Sequence, residues 1–540
     1  MASDLKVAQA DGSEPSRHPS ALEPGVLILN IVLSALGAII GLQLITQLGI
    51  TPNTAIIGAL VAMLLGRVPV SFLRGFRSIH RQNLIQTAIS GATFGAANSL
   101  LLPIGIPYLM GRPDLVWPML AGAAAGMLTD AWMLWRLFDS RVFPGAAAWP
   151  PGVATAEAIR AGDEGGKRAR LLLYGIAGGL LGSYFNISMS AFGVAFIGNM
   201  WALAMFGIGL LLRGYSTSLF GIDLNALYIP HGVMVGAGMV ALIQIIALLR
   251  GKVGKQAAAA PEEELELTTD EATVGKTLRI GFCLYVLFAA MIALITGVYA
   301  EMSLAKLVLW VVFAAFSCLA AEIIVGLSAM HAGWFPAFAV TLIFLVLGMV
   351  MGFPQMPLAI LTGYIASGGP AFADMGYDLK AGWMLRRREH SLEYERAGRF
   401  QQYLSNNIAF MVALVMVAIS WQAYFSQDLF PPVDRVFVAT IQAGLSDPSI
   451  TMRILLWAIP GALIQWIGGP SRQIGILLAT GLLILNPNAG WAVLAGLLIR
   501  FVVTKKYGEA ATSPMEILAA GFIAGDALYS FFGSVFKLRK

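Results

Sequence analysis

Long apolar stretches separated by short polar connections run through most of this chain of 540 residues. An α-helix that crosses a membrane needs about 20 mostly apolar residues. Stretches of roughly that length predict spans in the first half at 25–47, 54–72, 84–108, 115–137, 171–189 and 191–212. They predict spans in the second half at 278–299, 304–327, 334–351, 358–373, 407–424, 455–467, 474–485, 492–503 and 517–536. The pattern predicts an all-α, polytopic integral membrane protein with about 14–16 transmembrane segments.

Two stretches differ from simple spans. A segment around 149–162, rich in Pro, Gly and Ala, lies between positively charged loops and is too short to cross a membrane twice. It predicts a re-entrant hairpin, with a short helix beginning near Glu157. Residues 215–249 are too long for one span, and Gly221, Asp223 and Pro230 interrupt them, which predicts a broken helix. Irregular backbone survives at membrane depth only against protein or a water-filled cavity.

A polar linker divides the chain into two halves of similar style. We predict a cytoplasmic tail at 1–23, an N-terminal transmembrane half at 24–250, a cytoplasmic linker at 251–276 and a C-terminal transmembrane half at 277–540. Positive charge gathers in short loops, such as the one with Arg74, Arg77 and Arg81 and the one at 386–399. Because such loops stay inside, the N-terminus is expected in the cytoplasm of an inner or plasma membrane.

Composition supports the membrane class, since 58% of the residues are hydrophobic and only 12% are charged, against about 25% charged in soluble chains. The net charge of +5 lies in loops and indicates topology, so no nucleic-acid partner is expected. The chain has no Walker-type phosphate loop and no Cys/His cluster with metal-ligand spacing. We therefore expect no cofactor and no resident metal, and a metal cargo would travel as an intact chelate.

Carboxylates within apolar stretches are candidates to carry a coupling proton, because burial favours the neutral form of an acid. The proton-coupling candidates are Glu157, Glu322, Asp526 and Asp223, and Asp130 also lies within a predicted span. The alternative for each is structural. Glu157 would be held by backbone amides or by Arg160, and the other acids by salt bridges or hydrogen bonds between helices.

Polar side chains recur along one helical face at the start of the span 84–108. Asn83, Gln86, Thr87 and Ser90 offer both donors and acceptors, which suits a peptide backbone as ligand. The same groups could instead hold neighbouring helices together.

A second polar group follows the Gly-Pro break at 369–370. Asp374, Tyr377, Asp378 and Lys380 could bind a charged end of a substrate or gate its path. The alternative is a salt bridge that anchors a loop.

Four segments of the chain resemble the oligopeptide transporter superfamily, which includes the yellow stripe-like metal-chelate transporters. Residues 81–90 resemble its Asn-x-x-Gln-Thr segment, and 149–162 resemble its Pro-Phe-Pro-Glu-Gly-Thr-Ala-x-Ala-Glu segment. Residues 377–382 are similar to its Gln-Asp-Leu-Lys-Thr-Gly, and 518–528 to its Ala-Ser-Gly-Leu-Ile-Ala-Gly-Glu-Ala-Leu. The chain departs from the pattern at Pro151, where the family has Glu, at Val153, where it has Thr, and at Asp526, a shorter acid.

This resemblance implies about 16 helical segments and import of small oligopeptides or peptide-like metal chelates, usually with protons. We expect a secondary active transporter in the lipid bilayer, working by proton symport with alternating access, and not an enzyme. The alternatives are a membrane transferase acting on a lipid-linked substrate, or a passive channel. A transferase usually needs a catalytic acid or His in a sizeable loop. The loop 426–449 has acids, including Asp434 and Asp447, but no histidine. A homo-oligomer remains open.

Overall fold

The computed structural model describes residues 17–48, 54–68, 71–249, 267–333, 335–387, 391–443 and 449–538, and regular structure in these ranges is helical. The first-half helices are α1 Pro24–Leu48, α2 Ala55–Arg67, α3 Ile79–Phe94, α4 Leu102–Leu109, α5 Val116–Leu137, α6 Pro150–Glu164, α7 Gly166–Tyr184, α8 Met189–Ile197, α9 Met200–Phe220 and α10 Ile229–Leu249. The second-half helices are α11 Glu271–Ile295, α12 Leu304–Ala332, α13 Ala337–Val350, α14 Gln355–Ala366, α15 Gly369–Arg387, α16 Leu392–Phe425, α17 Pro432–Ala443, α18 Ser449–Arg472, α19 Ile474–Leu483, α20 Pro487–Tyr507 and α21 Thr512–Leu538. The all-α prediction is confirmed.

Membrane character is evident in the helices themselves. Among the described residues, 8 helices are long and apolar enough to cross a membrane. Further apolar helices of 10–17 residues include α2, α13 and α19, and several of them meet a neighbouring helix at a break. These features confirm a polytopic membrane protein with broken helices, whereas the number of complete crossings stays a prediction.

The outer surface of the helical bundle is apolar. Large side chains such as Leu304 and Ile467, each 77% exposed, point away from the protein on α12 and α18. Polar side chains such as Gln86, Asp378 and Gln402 are instead completely buried. This arrangement is expected when the surroundings are lipid, because apolar side chains then lose nothing by facing outward.

Four segments form the centre of the bundle. Helix α3 continues through a π-helical turn, Gly95–Leu101, into α4, and this run is buried throughout its apolar window. Helices α14 and α15 and most of α6 are buried as well. Helix α15 packs against α3, α6 and α16, so the polar residues of these helices meet inside the protein.

The predicted helices differ from the structure mainly at breaks. The predicted span 191–212 is divided by Gly198 and Asn199, which separate α8 from α9. The predicted break within 215–249 is present, because α9 ends at Phe220, an exposed connection follows, and α10 starts a separate helix at Ile229. Asp223 therefore lies in that connection, with a side chain that is 51% exposed, and not within a membrane helix.

The positively charged segment 386–399 is not a solvated loop throughout. Helix α15 continues to Arg387, and Arg386 is completely buried, where it donates to Gln402 at 2.9 Å. Its guanidinium also lies 3.4 Å from Glu395 on α16. Pairing lets these charges lie inside the protein.

Several predictions fall partly on residues outside the described ranges. These are most of the tail at 1–23, most of the linker at 251–276, and Asp447. The described end of the predicted linker already belongs to α11, which begins at Glu271 after an Asp270 cap that accepts from the Thr273 N–H at 3.2 Å. The second half of the protein therefore begins a few residues earlier than the sequence predicts.

Candidate functional site

Two polar segments that are far apart in sequence meet in the structure. Ser90 Oγ on α3 donates to Asp374 Oδ1 on α15 at 2.6 Å, and one turn away Gln86 Nε2 donates to Asp378 Oδ1. Both pairs are spaced four residues apart, so one face of α3 matches one face of α15. Thus the two predicted substrate-binding groups form one buried polar contact.

A third helix extends this contact. Gln402 Nε2 on α16 donates to the Asp378 carbonyl oxygen at 2.7 Å and to Thr87 Oγ1 at 3.2 Å. Asn83 is buried on the same helix as Thr87, and its amide oxygen has no hydrogen-bond partner in the part of the chain that the structure describes. Hydrogen bonds that join three helices at depth support the interhelical role that was the alternative for these residues.

Lys380 contacts residues other than the two aspartates. Its Nζ donates to the Gly145 carbonyl oxygen at 2.9 Å and lies 4.8 Å from the centre of the Trp383 ring. Gly145 belongs to the connection before α6. Lys380 therefore contacts that connection, and the predicted pairing of this lysine with a charged substrate end stays a prediction.

The Pro-Gly-rich segment forms helix α6, which begins at Pro150 and not near Glu157 as the sequence predicted. Trp149 has a left-handed conformation with φ of 40°, and its N–H donates to the Met330 carbonyl oxygen at 2.8 Å. The two prolines then occupy the first helical positions, where a missing N–H costs no hydrogen bond. The break places the start of α6 beside the end of α12.

Glu157 is buried in an ion pair. Both of its carboxylate oxygens accept from Arg168 on α7, at 2.8 and 3.0 Å, and Arg160 lies 3.8 Å away. Glu157 is only 4% exposed. A bidentate arginine partner supports the structural role.

Two further acids form a buried pair. Asp130 on α5 and Glu322 on α12 are each 1% exposed, and the Tyr285 hydroxyl on α11 donates to Asp130 Oδ1. A Cβ added to Gly368, at the break between α14 and α15, would collide with an oxygen of each acid, so both border the same glycine. Asp130 Oδ2 and Glu322 Oε2 have no hydrogen-bond partner among the described residues.

A cavity of about 650 Å³ lies where several helices break. Its wall includes Pro151 at the start of α6, Ser188 before α8, Phe335 before α13 and Asn488 at the start of α20. Both halves of the chain therefore contribute to it. Of the predicted substrate-binding residues Tyr377 lines the cavity, whereas Asn83, Gln86, Thr87, Ser90, Asp374, Asp378 and Lys380 do not.

Asp526 on α21 also lines this cavity. Its Oδ1 accepts from Ser183 Oγ at 2.5 Å, and its Oδ2 accepts from the Ser190 N–H at 2.8 Å. The acid thus joins the end of α7 to the start of α8. Asp223, by contrast, does not line the cavity; it lies in the exposed connection after α9 and contacts Arg213 at 3.4 Å.

Other cavity residues were missed by sequence reasoning. Asn98, Ser183, Asn186 and Asn488 line the cavity with amide and hydroxyl groups. Asn98 lies within the π-helical turn that follows α3. Because this turn changes the number of residues per helical turn, Asn98 continues the polar face that carries Gln86 and Ser90. The Asn-Pro-Asn sequence at 486–488, between two apolar stretches, was a signal for a helix break that could have been used.

Within the described ranges, no group of three or more His, Cys, Asp and Glu side chains could hold a metal ion. The acids of the loop 426–449 are also dispersed, because Asp428 is exposed and pairs with Arg435 at 2.7 Å, whereas Asp434 is completely buried.

Comparison with known families matches nearly the whole chain. The sequence model of the OPT oligopeptide transporter protein family matches residues 24–253 and 226–537. No curated protein sequence matches the chain in a corresponding search. The family match, the helical membrane fold and the cavity between broken helices agree with one another. The chain therefore belongs to the OPT oligopeptide transporter family, whose members are multi-pass membrane transporters and not enzymes.

Proposed function

We propose that this protein imports small oligopeptides or peptide-like metal chelates across the cytoplasmic membrane by alternating access, with protons as the coupling ion. The observation that carries this proposal is the cavity of about 650 Å³ with walls from both halves of the chain. Binding sites for small molecules commonly have volumes of about 300–1,000 Å³. A short peptide matches that size.

The cavity wall supports a transport role because it is made from helix ends. The connection between α7 and α8, the break between α12 and α13, and the start of α20 all reach it. Helix ends expose backbone groups that can bind a polar solute at membrane depth, as in other transporters with broken helices. Rocking of one group of helices against the other would open the cavity to each side in turn.

Proton coupling is supported by Asp130 and Glu322. These two acids border Gly368 and have no basic partner within 4.0 Å among the described residues. Two negative charges buried together without a cation are costly, so the pair is expected to hold a proton in at least one transport state. Glu157 is a poorer candidate because Arg168 already neutralises it.

Reconstituted protein tests this proposal. With an inwardly directed proton gradient, proteoliposomes should accumulate a labelled tripeptide or chelate above the outside concentration, and a protonophore should abolish the accumulation. Glu322→Gln should lose accumulation but keep exchange of labelled for unlabelled substrate, because exchange needs no net proton movement. Glu301→Gln, a change of an exposed acid, is the matched control. Saturable uptake that ignores the gradient would contradict coupling, and unsaturable flux would indicate a channel.

Orientation is a separate part of the proposal. Arg67, Arg77 and Arg81 cluster at the end of α2 and the start of α3, which supports a cytoplasmic position for this end of the bundle. A cysteine introduced at Arg77 should react with a membrane-impermeant reagent only after cells are opened. Labelling in intact cells would indicate the opposite orientation, with this end of the bundle outside.

A further inference from the structure

We propose that Asp526 binds the protonated amino group of the substrate and makes the cavity selective for solutes with a free amine. This inference rests on the proposed function, since it takes the cavity to be the transport site. It assigns to Asp526 a role in substrate recognition in place of the proton-coupling role predicted from the sequence.

The hydrogen bonds of Asp526 leave it able to accept more. One carboxylate oxygen accepts from Ser183 Oγ and the other accepts from the Ser190 N–H. Both neighbours donate, and a carboxylate has about four acceptor positions. The remaining positions are available to a donor in the cavity, and an ammonium group offers three N–H donors with the matching charge.

The charge of the cavity wall also supports binding of an amino group. Among the described residues that line it, Asp526 alone carries a charged side chain, and the others are amides, hydroxyls, aromatic rings or aliphatic groups. A single negative charge facing a small cavity inside a membrane protein attracts a cationic group and repels an anionic one, and surroundings of low polarity strengthen both effects. Anionic chelates are therefore disfavoured, and cationic or zwitterionic peptides are favoured.

Two polar groups in the cavity lack partners. Tyr377 and Asn98 both line the cavity, and as whole residues they are 2% and 4% exposed. Neither the Tyr377 hydroxyl nor Asn98 Oδ1 has a hydrogen-bond partner within the part of the chain that the structure describes. A hydroxyl donor and an amide acceptor complement the carbonyl and N–H of a peptide bond, so a ligand is expected to use them.

Asp526 is held firmly in place. It follows Gly525, which packs against Gly179 of α7 so closely that a Cβ added to Gly179 would lie 2.9 Å from the Gly525 Cα. Ser183, one turn beyond Gly179, then meets Asp526 directly. A binding group positioned by close helix packing loses little freedom when the ligand arrives.

Binding of alanine peptides to the purified full chain tests the inference. Dialanine, trialanine and tetraalanine would be compared with their N-acetylated and C-amidated forms by calorimetry or ligand-induced thermal stabilisation. In the wild type, acetylation of the amine should weaken binding by about tenfold or more, as expected for loss of a charge-assisted hydrogen bond. In Asp526→Asn, the free and acetylated peptides should bind within about twofold of each other.

The controls separate recognition from folding and from transport. Asn at this position can still accept from the Ser190 N–H, so unchanged binding of the acetylated peptides would show that Asp526→Asn is folded. Asp114→Asn, a change of an exposed acid paired with Arg112, should behave as the wild type. C-amidation should have the same effect in wild type and Asp526→Asn.

Two results would overturn the inference. One is a preference for the free amine that persists in Asp526→Asn, and the other is no binding by any of the amine-bearing peptides. Proton-driven uptake of an amine-free chelate would then leave the proposed function standing, so the two failures can be told apart.

Discussion

At the scale of single residues, the acids within apolar stretches differ in the partners that surround them. Glu157 has two arginines, Asp526 has a hydroxyl and a backbone N–H, and Asp130 and Glu322 border the same glycine with Tyr285 nearby. The sequence does not distinguish these acids, because each one lies in an apolar stretch. Their partners now support separate structural, recognition and coupling roles.

Glu157→Gln is expected to destabilise the protein by about 3 kcal/mol, because it leaves Arg168 without its bidentate partner next to a buried helix. The midpoint of chemical or thermal unfolding in detergent measures this. Glu164→Gln removes the other acid near Arg168, whose side chain is 47% exposed, and should cost less than about 1 kcal/mol. A stable Glu157→Gln protein that loses proton-driven accumulation would contradict the structural role and make Glu157 the coupling acid.

Asp434 should make stability depend on pH. It lies on α17, a helix of 12 residues that is too short to cross a membrane, and neither carboxylate oxygen has a partner among the described residues. Burial raises the pKa of the Asp434 carboxyl well above its usual range, although Arg435 opposes this rise. A raised pKa in the folded state favours folding at low pH, and this contribution is lost as the pH rises from about 4, the ordinary value, through the folded-state pKa.

The measurement is thermal unfolding between pH 4 and pH 9. Asp434→Asn should flatten the decline in stability across this range, and at the alkaline end it should be more stable than the wild type. Asp428→Asn changes an exposed acid near the same helix and should leave the pH profile as it is. Identical profiles for wild type and Asp434→Asn would show that α17 tolerates the charge.

At the scale of helices, glycines set how closely the two halves approach. Gly175 and Gly179 on α7 face Gly521 and Gly525 on α21, and a Cβ added to Gly175 would lie 2.7 Å from the Gly521 Cα. Small residues spaced four apart let two helix backbones come together. The same crossing carries Asp526 to the cavity, so the role proposed for Asp526 in substrate recognition depends on this helix packing.

Gly521→Leu is expected to separate α7 from α21 and to weaken substrate binding together with stability. Overpacking against backbone costs about 1–3 kcal/mol or more, and Asp526 would move relative to Ser183. Unfolding midpoints and peptide binding should both fall. Gly275→Leu on α11 is the control, because no atom lies within 4 Å of a Cβ added there. Normal peptide binding in Gly521→Leu would show that the crossing does not position Asp526.

At the scale of the whole molecule, the two halves are interleaved. Helices α7, α9 and α10 of the first half pack against α21, α19 and α18 of the second half, respectively. The predicted boundaries at 24–250 and 277–540 therefore describe segments of the chain that share one interior. A cavity with walls from both halves follows directly from this arrangement.

A protease site inserted between residues 255 and 262 tests how the halves depend on each other. After cleavage the two fragments should stay together in mild detergent, because their contacts run along several helix pairs. The fragment 1–255 produced alone should fail to accumulate, since the faces of α7, α9 and α10 that pack on the second half would be uncovered. Separation of the cleaved fragments on size-exclusion chromatography would contradict an interleaved bundle.

The sequence by itself determined the membrane class, most helix positions and the family. The thickness of the hydrocarbon core sets the number of apolar residues that a spanning helix needs. For this reason α1, α5 and α12 could be predicted from local composition. Helix breaks were harder, because Gly198 and the Pro150–Pro151 pair end or begin a helix according to what packs beside them.

Only the tertiary structure decided which polar side chains meet. Asp526 lies 343 positions from Ser183, and Ser90 lies 284 positions from Asp374, yet each pair is in direct contact. Such contacts depend on which faces of distant helices come together. Helical periodicity shows which side chains share a face of a helix, but not which other helix that face contacts. For the same reason the sequence could point to the acids, whereas the roles proposed for them depend on the partners that folding supplied.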